Sequence, residues 1–141
     1  MGRIVAIDFG TKRTGVAITD NLNIVASGLT TVPTLELLSY LESLFNEENV
    51  LTLVVGKPIQ KMGNPSEVED AILNFIQQFQ KKCPQVVVER FDERFTSKLA
   101  MRTIIDAGVK KKKRKDKALV DKISATIILQ DYLKTRIWFI Q

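Results

Sequence analysis

Apolar positions along the chain change their period several times, and each change marks an element. Residues 3–9 are a short run rich in Ile, Val and Ala that ends at Gly10, and residues 14–19 are a second such run. Asp20-Asn21 supplies turn residues, and residues 24–32 can return as a third strand. Connections this short fit an antiparallel meander. The period then becomes helical. Thr34 is placed to cap a helix whose apolar positions are Leu37, Leu38, Leu41, Leu44 and Phe45. Residues 51–55 form a compact apolar strand closed by Gly56-Lys57-Pro58. Gly63-Asn64-Pro65 reads as a loop, and Ser66 with Glu69 three residues on makes a capping-box pattern. The helix behind it packs through Val68, Ile72, Phe75, Ile76 and Phe79, and Pro84 stops it. Residues 86–91 make a fifth strand. Thr96 or Ser97 opens a helix to about Ala107, with Gly108 placed to end it. Residues 119–133 are the last helix, and residues 137–140 a short apolar tail.

Three strands in hairpin succession, then strand–helix–strand crossovers, predict an α/β fold. Its sheet is mixed and five-stranded, three antiparallel strands then two parallel, and is flanked by helices. That order of elements is the ribonuclease H-like one. With 141 residues, 45% of them hydrophobic, the chain can bury one core and has no room for two domains of ordinary size. Residues 1–141 are therefore expected to form a single domain.

Composition narrows the chemistry. There is no histidine, which excludes imidazole general bases, Ser-His and Cys-His pairs, and Cys/His zinc sites. The single cysteine, Cys83, has no intramolecular disulfide partner. No segment approaches the run of about 18 apolar residues that spans a bilayer, and the start of the chain lacks the pattern of a secretory signal. A cytoplasmic protein without a membrane partner is expected. The net charge of +5 is concentrated: residues 110–117 hold seven cations and one acid, which leaves the rest of the chain at −1. Charges this dense repel one another, so the run reads as a solvated loop, either a linker or a clamp for anions.

The acids then become informative. Asp8 ends the first strand in phase with Ile4 and Ala6, a costly place for a carboxylate unless charge or hydrogen bonds compensate it. It could bond the turn at Gly10, but Lys12 and Arg13 follow within five residues, which suits a functional site better. Asp121 heads a helical stripe continued by Ala125, Ile128 and Tyr132, so it is aimed toward the sheet. Asp92 and Glu93 close the fifth strand, where a regular pleat presents only one of them to the site. Glu93 is preferred as the ligand for its longer reach, leaving Asp92 to bond the turn, and the alternative stays open. Acids from three elements, without histidine, suit Mg²⁺ or Mn²⁺. Such ions take oxygen ligands and can activate water against a phosphodiester. Asp8, Glu93 and Asp121 are the candidate ligands, with Asp92 a further catalytic candidate. Lys12, Arg13, Arg94, Lys110, Lys111, Lys112, Lys113, Arg114 and Lys115 are the candidate contacts to a nucleic-acid backbone.

These residues carry a resemblance. Asp8-Phe9-Gly10-Thr11-Lys12-Arg13-Thr14-Gly15-Val16-Ala17 is similar to the opening motif of the YqgF/RuvX family of bacterial pre-16S rRNA nucleases and Holliday-junction-resolvase-like proteins. Val54-Val55-Gly56-Lys57-Pro58, Asp92-Glu93-Arg94-Phe95-Thr96-Ser97 and the helix from Val120-Asp121 to Tyr132-Leu133 resemble three further motifs in the same order. The chain departs from the family at Ser124-Ala125, where two alanines are usual, and at Lys61-Met62-Gly63, where an Asp-Gly is common. The resemblance implies a ribonuclease H-like fold and metal-dependent cleavage of RNA in maturing the 5′ end of small-subunit rRNA. It also implies an acidic site at Asp8, Asp92 or Glu93, and Asp121. A non-catalytic RNA-binding assembly factor and a junction resolvase are the alternatives, acting as monomer or homodimer. The Asp8-Phe9-Gly10-Thr11 turn also resembles a phosphate motif of the actin and sugar-kinase superfamily. Those proteins close ATP between two such domains, and this chain has one.

Overall fold

The computed structural model describes residues 2–58, 67–93 and 117–140, with side chains to residue 136. Five strands form one sheet: β1 (Arg3–Asp8), β2 (Arg13–Thr19), β3 (Ala26–Pro33), β4 (Val50–Lys57) and β5 (Val87–Asp92). Their spatial order is β3-β2-β1-β4-β5, with the first three antiparallel and β4 and β5 parallel to β1. The helices are α1 (Leu37–Glu47), α2 (Glu67–Lys82) and α3 (Lys117–Ile140). This is the mixed five-stranded sheet that the order of periodicities predicts.

The pleat of the central strands divides the core in two. Val5, Ile7, Leu53 and Val55 face α1 and α2, where they meet Leu37, Leu41, Phe45, Ile72, Phe75 and Phe79. Ile4, Ala6, Ala17 and Val54 face α3, against Ala125, Ile128, Leu129 and Tyr132. Buried on both sides, β1 and β4 read in sequence as continuous apolar runs instead of alternating ones. The two faces are built differently. The α1/α2 side is filled by bulk, with the ring of Phe79 edge-on to Phe45 at 5.4 Å and stacked on Phe75 at 6.1 Å. On the α3 side the small side chains of Ala6 and Ala17 let the helix lie close to the sheet.

Several local readings change. Thr34 caps no helix: it begins a 3₁₀ turn (Thr34–Glu36), and its hydroxyl reaches back across the sheet to Gly10 O at 2.6 Å. The third strand starts at Ala26, because Asp20 Oδ1 accepts the amides of Ile24 and Val25 and holds them, exposed, in the turn. Both carboxylate oxygens of Glu69 accept from Arg90 on β5, and Ser66, its expected capping-box partner, lies outside the described residues. Residues 137–140 continue α3, and Lys117, which the charge pattern assigns to the basic run, is its first described residue. Ser66, the Gly63-Asn64-Pro65 loop and the helix expected from Thr96 or Ser97 to Ala107 lie outside the described residues.

Candidate active site

Asp8 is the last residue of β1, the middle strand of the sheet, and shares the α3-facing phase of Ile4 and Ala6. A glycine lies on either side of it. Gly15 on β2 is its direct cross-strand partner, and Gly56 on β4 follows Val55, the partner of Ile7. Each is a close approach that a side chain would block. A Cβ on Gly15 would stand 1.9 Å from the backbone oxygen of Asp121, so the first turns of α3 rest directly on β2 beside Asp8. A Cβ on Gly56 would stand 3.1 Å from Glu93 Oε1 and 3.0 Å from Ile128 Cδ1. The missing side chains leave room for the backbone of Asp121 over Gly15 and for the carboxylate of Glu93 over Gly56, on the face of the sheet that Asp8 shares.

The phase of β5 separates the two neighbouring acids. Phe91 packs edge-on against Tyr132 of α3, and Glu89 accepts the Tyr132 hydroxyl, so odd positions of β5 face α3; Glu93, one residue past the strand, lies on that side too, beside Gly56 and Ile128. Asp92 shares the phase of Arg90, whose guanidinium lies on the α2 side. There Arg90 donates to Glu69 and to the carbonyls of Val55 at 3.3 Å and Gly56 at 3.2 Å. It fixes the end of β4 beneath Glu93. Burial and then the Glu89 carboxylate push the Tyr132 phenol above its ordinary value.

Cations meet the acids unevenly. Arg13 Nε donates to Asp121 Oδ2 at 3.0 Å, so a residue expected on phosphate stands on a carboxylate instead. The Arg13 side chain is 38% exposed and that of Asp121 18%; a pair this solvated contributes about 1 kcal/mol or less. The Gly10 turn sets its position. Thr34 donates its amide to Lys12 O at 3.0 Å, its hydroxyl meets Thr14 Oγ1 at 3.0 Å, and a Cβ on Gly10 would strike Arg13 O at 2.4 Å. Lys12 is exposed. Arg94, Lys110, Lys111, Lys112, Lys113, Arg114 and Lys115 lie outside the described residues.

The donor set is made of carboxylate oxygens, which fits a hard divalent ion in kind. As the side chains stand, no three acidic groups among the described residues close to metal-holding distance. Gly15, Gly56, Arg90 and Thr34 belong to the site's framework; the sequence offers the glycines only as motif positions, Thr34 only as a helix cap and Arg90 not at all. A glycine inside an apolar strand is the signal that would have found the first two.

The comparisons agree on where this arrangement belongs. The protein-family description "RuvX: Holliday junction resolvase" matches residues 2–135. A protein of Christiangramia forsetii is 57% identical over 94% of this chain and 98% of its own length, and one of Bacteroides fragilis is 52% identical over 96% and 99%. Both are named "Putative pre-16S rRNA nuclease". Among solved structures, Thermus thermophilus RuvC in complex with Holliday junction substrate matches with a TM-score of 0.59 at 12% identity, covering 94% of this chain and 96% of that one. That likeness is one of fold, and the fold is ribonuclease H-like. With an acid at the end of the central strand, a glycine on each side of it and a match along almost its whole length, the chain belongs to the RuvX family.

Proposed function

We propose that this protein is a metal-dependent nuclease that cuts RNA phosphodiester bonds, with the 5′ end of the small-subunit rRNA precursor as its substrate. The observation that carries the reading is the glycine-flanked Asp8, with Asp121 and Glu93 on the same face of the sheet. Relatives that share about half of its residues over nearly their full length bear the pre-16S rRNA nuclease name, which supports the choice of substrate. Asp8, Glu93 and Asp121 would hold Mg²⁺ or Mn²⁺, and a hard divalent ion held by carboxylates supplies an activated water and stabilises the departing oxygen.

The chain's own residues do the rest. The carboxylates repel a phosphate backbone unless cations offset them. Lys12 and Arg13 lie next to the acids on the Gly10 turn, and Arg94 with the run at residues 110–115 adds to them in sequence. Arg90 and Glu69 hold the end of β4 in place. Asp92, in the other phase of β5, takes no ligand role in this reading. A cytoplasmic location and an RNA partner follow from the same reading, and no helix among the described residues is long and apolar enough to cross a membrane.

The family description raises junction DNA as the second substrate. Purified protein is incubated with a 5′-extended 16S precursor fragment and, in parallel, a four-way DNA junction, each in Mg²⁺, Mn²⁺ or EDTA. Metal-dependent cutting of the precursor alone is the expected result. Cutting of the junction alone would move the substrate to branched DNA. Binding of RNA without cutting in any metal would make the protein an assembly factor.

A further inference from the structure

Arg13 and Asp121 are 108 residues apart in sequence, and their ion pair ties the start of β2 to the first turns of α3. The two ends of this pair differ in freedom. The backbone of Asp121 rests on Gly15 and cannot approach or withdraw without moving the helix. Arg13 reaches the carboxylate with a long side chain, 38% exposed, so the guanidinium can leave while both backbones stay put. A monovalent, part-solvated partner is easily displaced by a divalent ion that several carboxylates share.

We infer that Arg13 is a resident stand-in cation for Asp121: a divalent ion entering the Asp8, Glu93 and Asp121 carboxylates displaces its guanidinium, which then binds a phosphate of the nucleic acid. The inference rests on the reading of those carboxylates as metal ligands. Its chemistry is an exchange of partners. While Asp121 holds Arg13, the acidic site is partly neutralised and the guanidinium is withheld from the substrate. Once metal neutralises the acids, the planar fork of Arg13 is left beside them, and phosphate is the anion it matches. Metal and nucleic acid then help each other bind, by the same factor in both directions. A lysine would not substitute fully, since it makes no bidentate contact.

Three measurements on the full chain test this. Mn²⁺ affinity, read by electron paramagnetic resonance, is expected to rise by up to about five-fold in Arg13→Gln, the ceiling that so solvated a pair allows. Lys12→Gln removes the same charge one residue away and is expected to give a much smaller gain. In an Asp121→Asn background Arg13→Gln is expected to give none. Binding of a labelled single-stranded RNA, with Ca²⁺ and in EDTA, is expected to show a comparable metal-induced gain in the unsubstituted protein and a clearly smaller one in Arg13→Gln. Nitrogen-15 spectra of the arginine side chains need no variant: the Arg13 Nε–H signal is expected to move during a Mg²⁺ titration with the midpoint of metal binding. An Arg13 signal unmoved at metal saturation, an equal gain in Lys12→Gln, or an equal RNA response in Arg13→Gln would overturn the inference while leaving the metal site standing. Failure of the unsubstituted protein to bind Mn²⁺ would instead remove the metal reading, and the inference with it.

Discussion

Gly15 is where the site is tightest, and it acts through the side chain it lacks. Its backbone lies in a conformation open to any residue, so an added methyl group would be tolerated in isolation. What forbids it is the carbonyl of Asp121, 1.9 Å from the Cβ position. Gly15→Ala is therefore expected to lift the start of α3 from β2, costing about 3 kcal/mol in chemical denaturation and removing nuclease activity. Gly28→Ala is the control. There the nearest atoms are Lys122 Cγ at 2.8 Å and Thr126 Oγ1 at 2.9 Å, side-chain atoms that can rotate aside where a backbone carbonyl cannot, and a loss of about 1 kcal/mol or less is expected. Equal losses in the two variants would mean that the helix is not seated on Gly15. Asp92 ends β5 in the phase of Arg90, and Glu93 follows it on the α3 side, beside Gly56. Glu93→Gln is expected to lower the cleavage rate at least 100-fold, and Asp92→Asn to leave it within a few-fold, both read under single-turnover conditions. The reverse ranking would assign the ligand role to Asp92.

At the scale of elements, the helices were legible wherever apolar spacing carried them, and their ends were not. Leu37, Leu41 and Phe45 are buried as their spacing requires, and so are Ala125, Ile128 and Tyr132. Thr34 fits a local capping pattern, yet its side chain is taken by distant partners, Gly10 and Thr14. A local pattern offers one partner, and the assembled sheet offers better ones. Asp8 and Asp121 stood out in the sequence because each heads an otherwise apolar row, where an acid needs a compensating reason. The glycines beside Asp8 act through what they leave out, and so gave no comparable signal. Tyr132 and Glu89 couple α3 to β5, and their pairing has a consequence at alkaline pH. Burial raises the phenol of Tyr40, and burial with Glu89 raises that of Tyr132, from an ordinary 10.0. Both groups therefore favour the folded state fully below pH 10, and that contribution is lost as pH rises through their folded values. Tyrosinate absorbance in a pH titration is expected to appear later in the folded protein than in the urea-unfolded chain. In Tyr132→Phe the alkaline fall in stability should be shallower, with a loss of about 1 kcal/mol near neutrality from the missing hydrogen bond. Coincident titration in the folded and unfolded states would contradict the burial of these phenols.

Over the whole chain, the positive charge is concentrated in a run that ends in sequence at Lys117, the first described residue of α3 and four residues before Asp121. Such proximity favours a clamp on substrate phosphates over a remote solubilising run. Replacing Lys110, Lys111, Lys112 and Lys113 by glutamine is expected to weaken RNA binding similarly for all sequences. It should also flatten the dependence of log affinity on log salt by about 0.7 per lost phosphate contact on single strands, or about 0.9 on duplex. Metal binding should persist in that variant, and an unchanged salt slope would reduce the run to a solvated linker.

The claim that joins all three scales is that Asp8 stands at the centre of a metal-dependent phosphodiester-cleaving site. Single-turnover cleavage of a 5′-extended small-subunit rRNA precursor in Mg²⁺, by the unsubstituted protein and by Asp8→Asn, tests it most directly when thermal melts of both are recorded beside it. Cleavage by Asp8→Asn is expected to fall by about a thousand-fold or more, reflecting the several kcal/mol that metal-assisted chemistry contributes. Its melting temperature is expected to be equal or higher, because removing one of several crowded carboxylates relieves repulsion in the absence of metal. Full cleavage by a pure, folded Asp8→Asn protein would contradict the assignment.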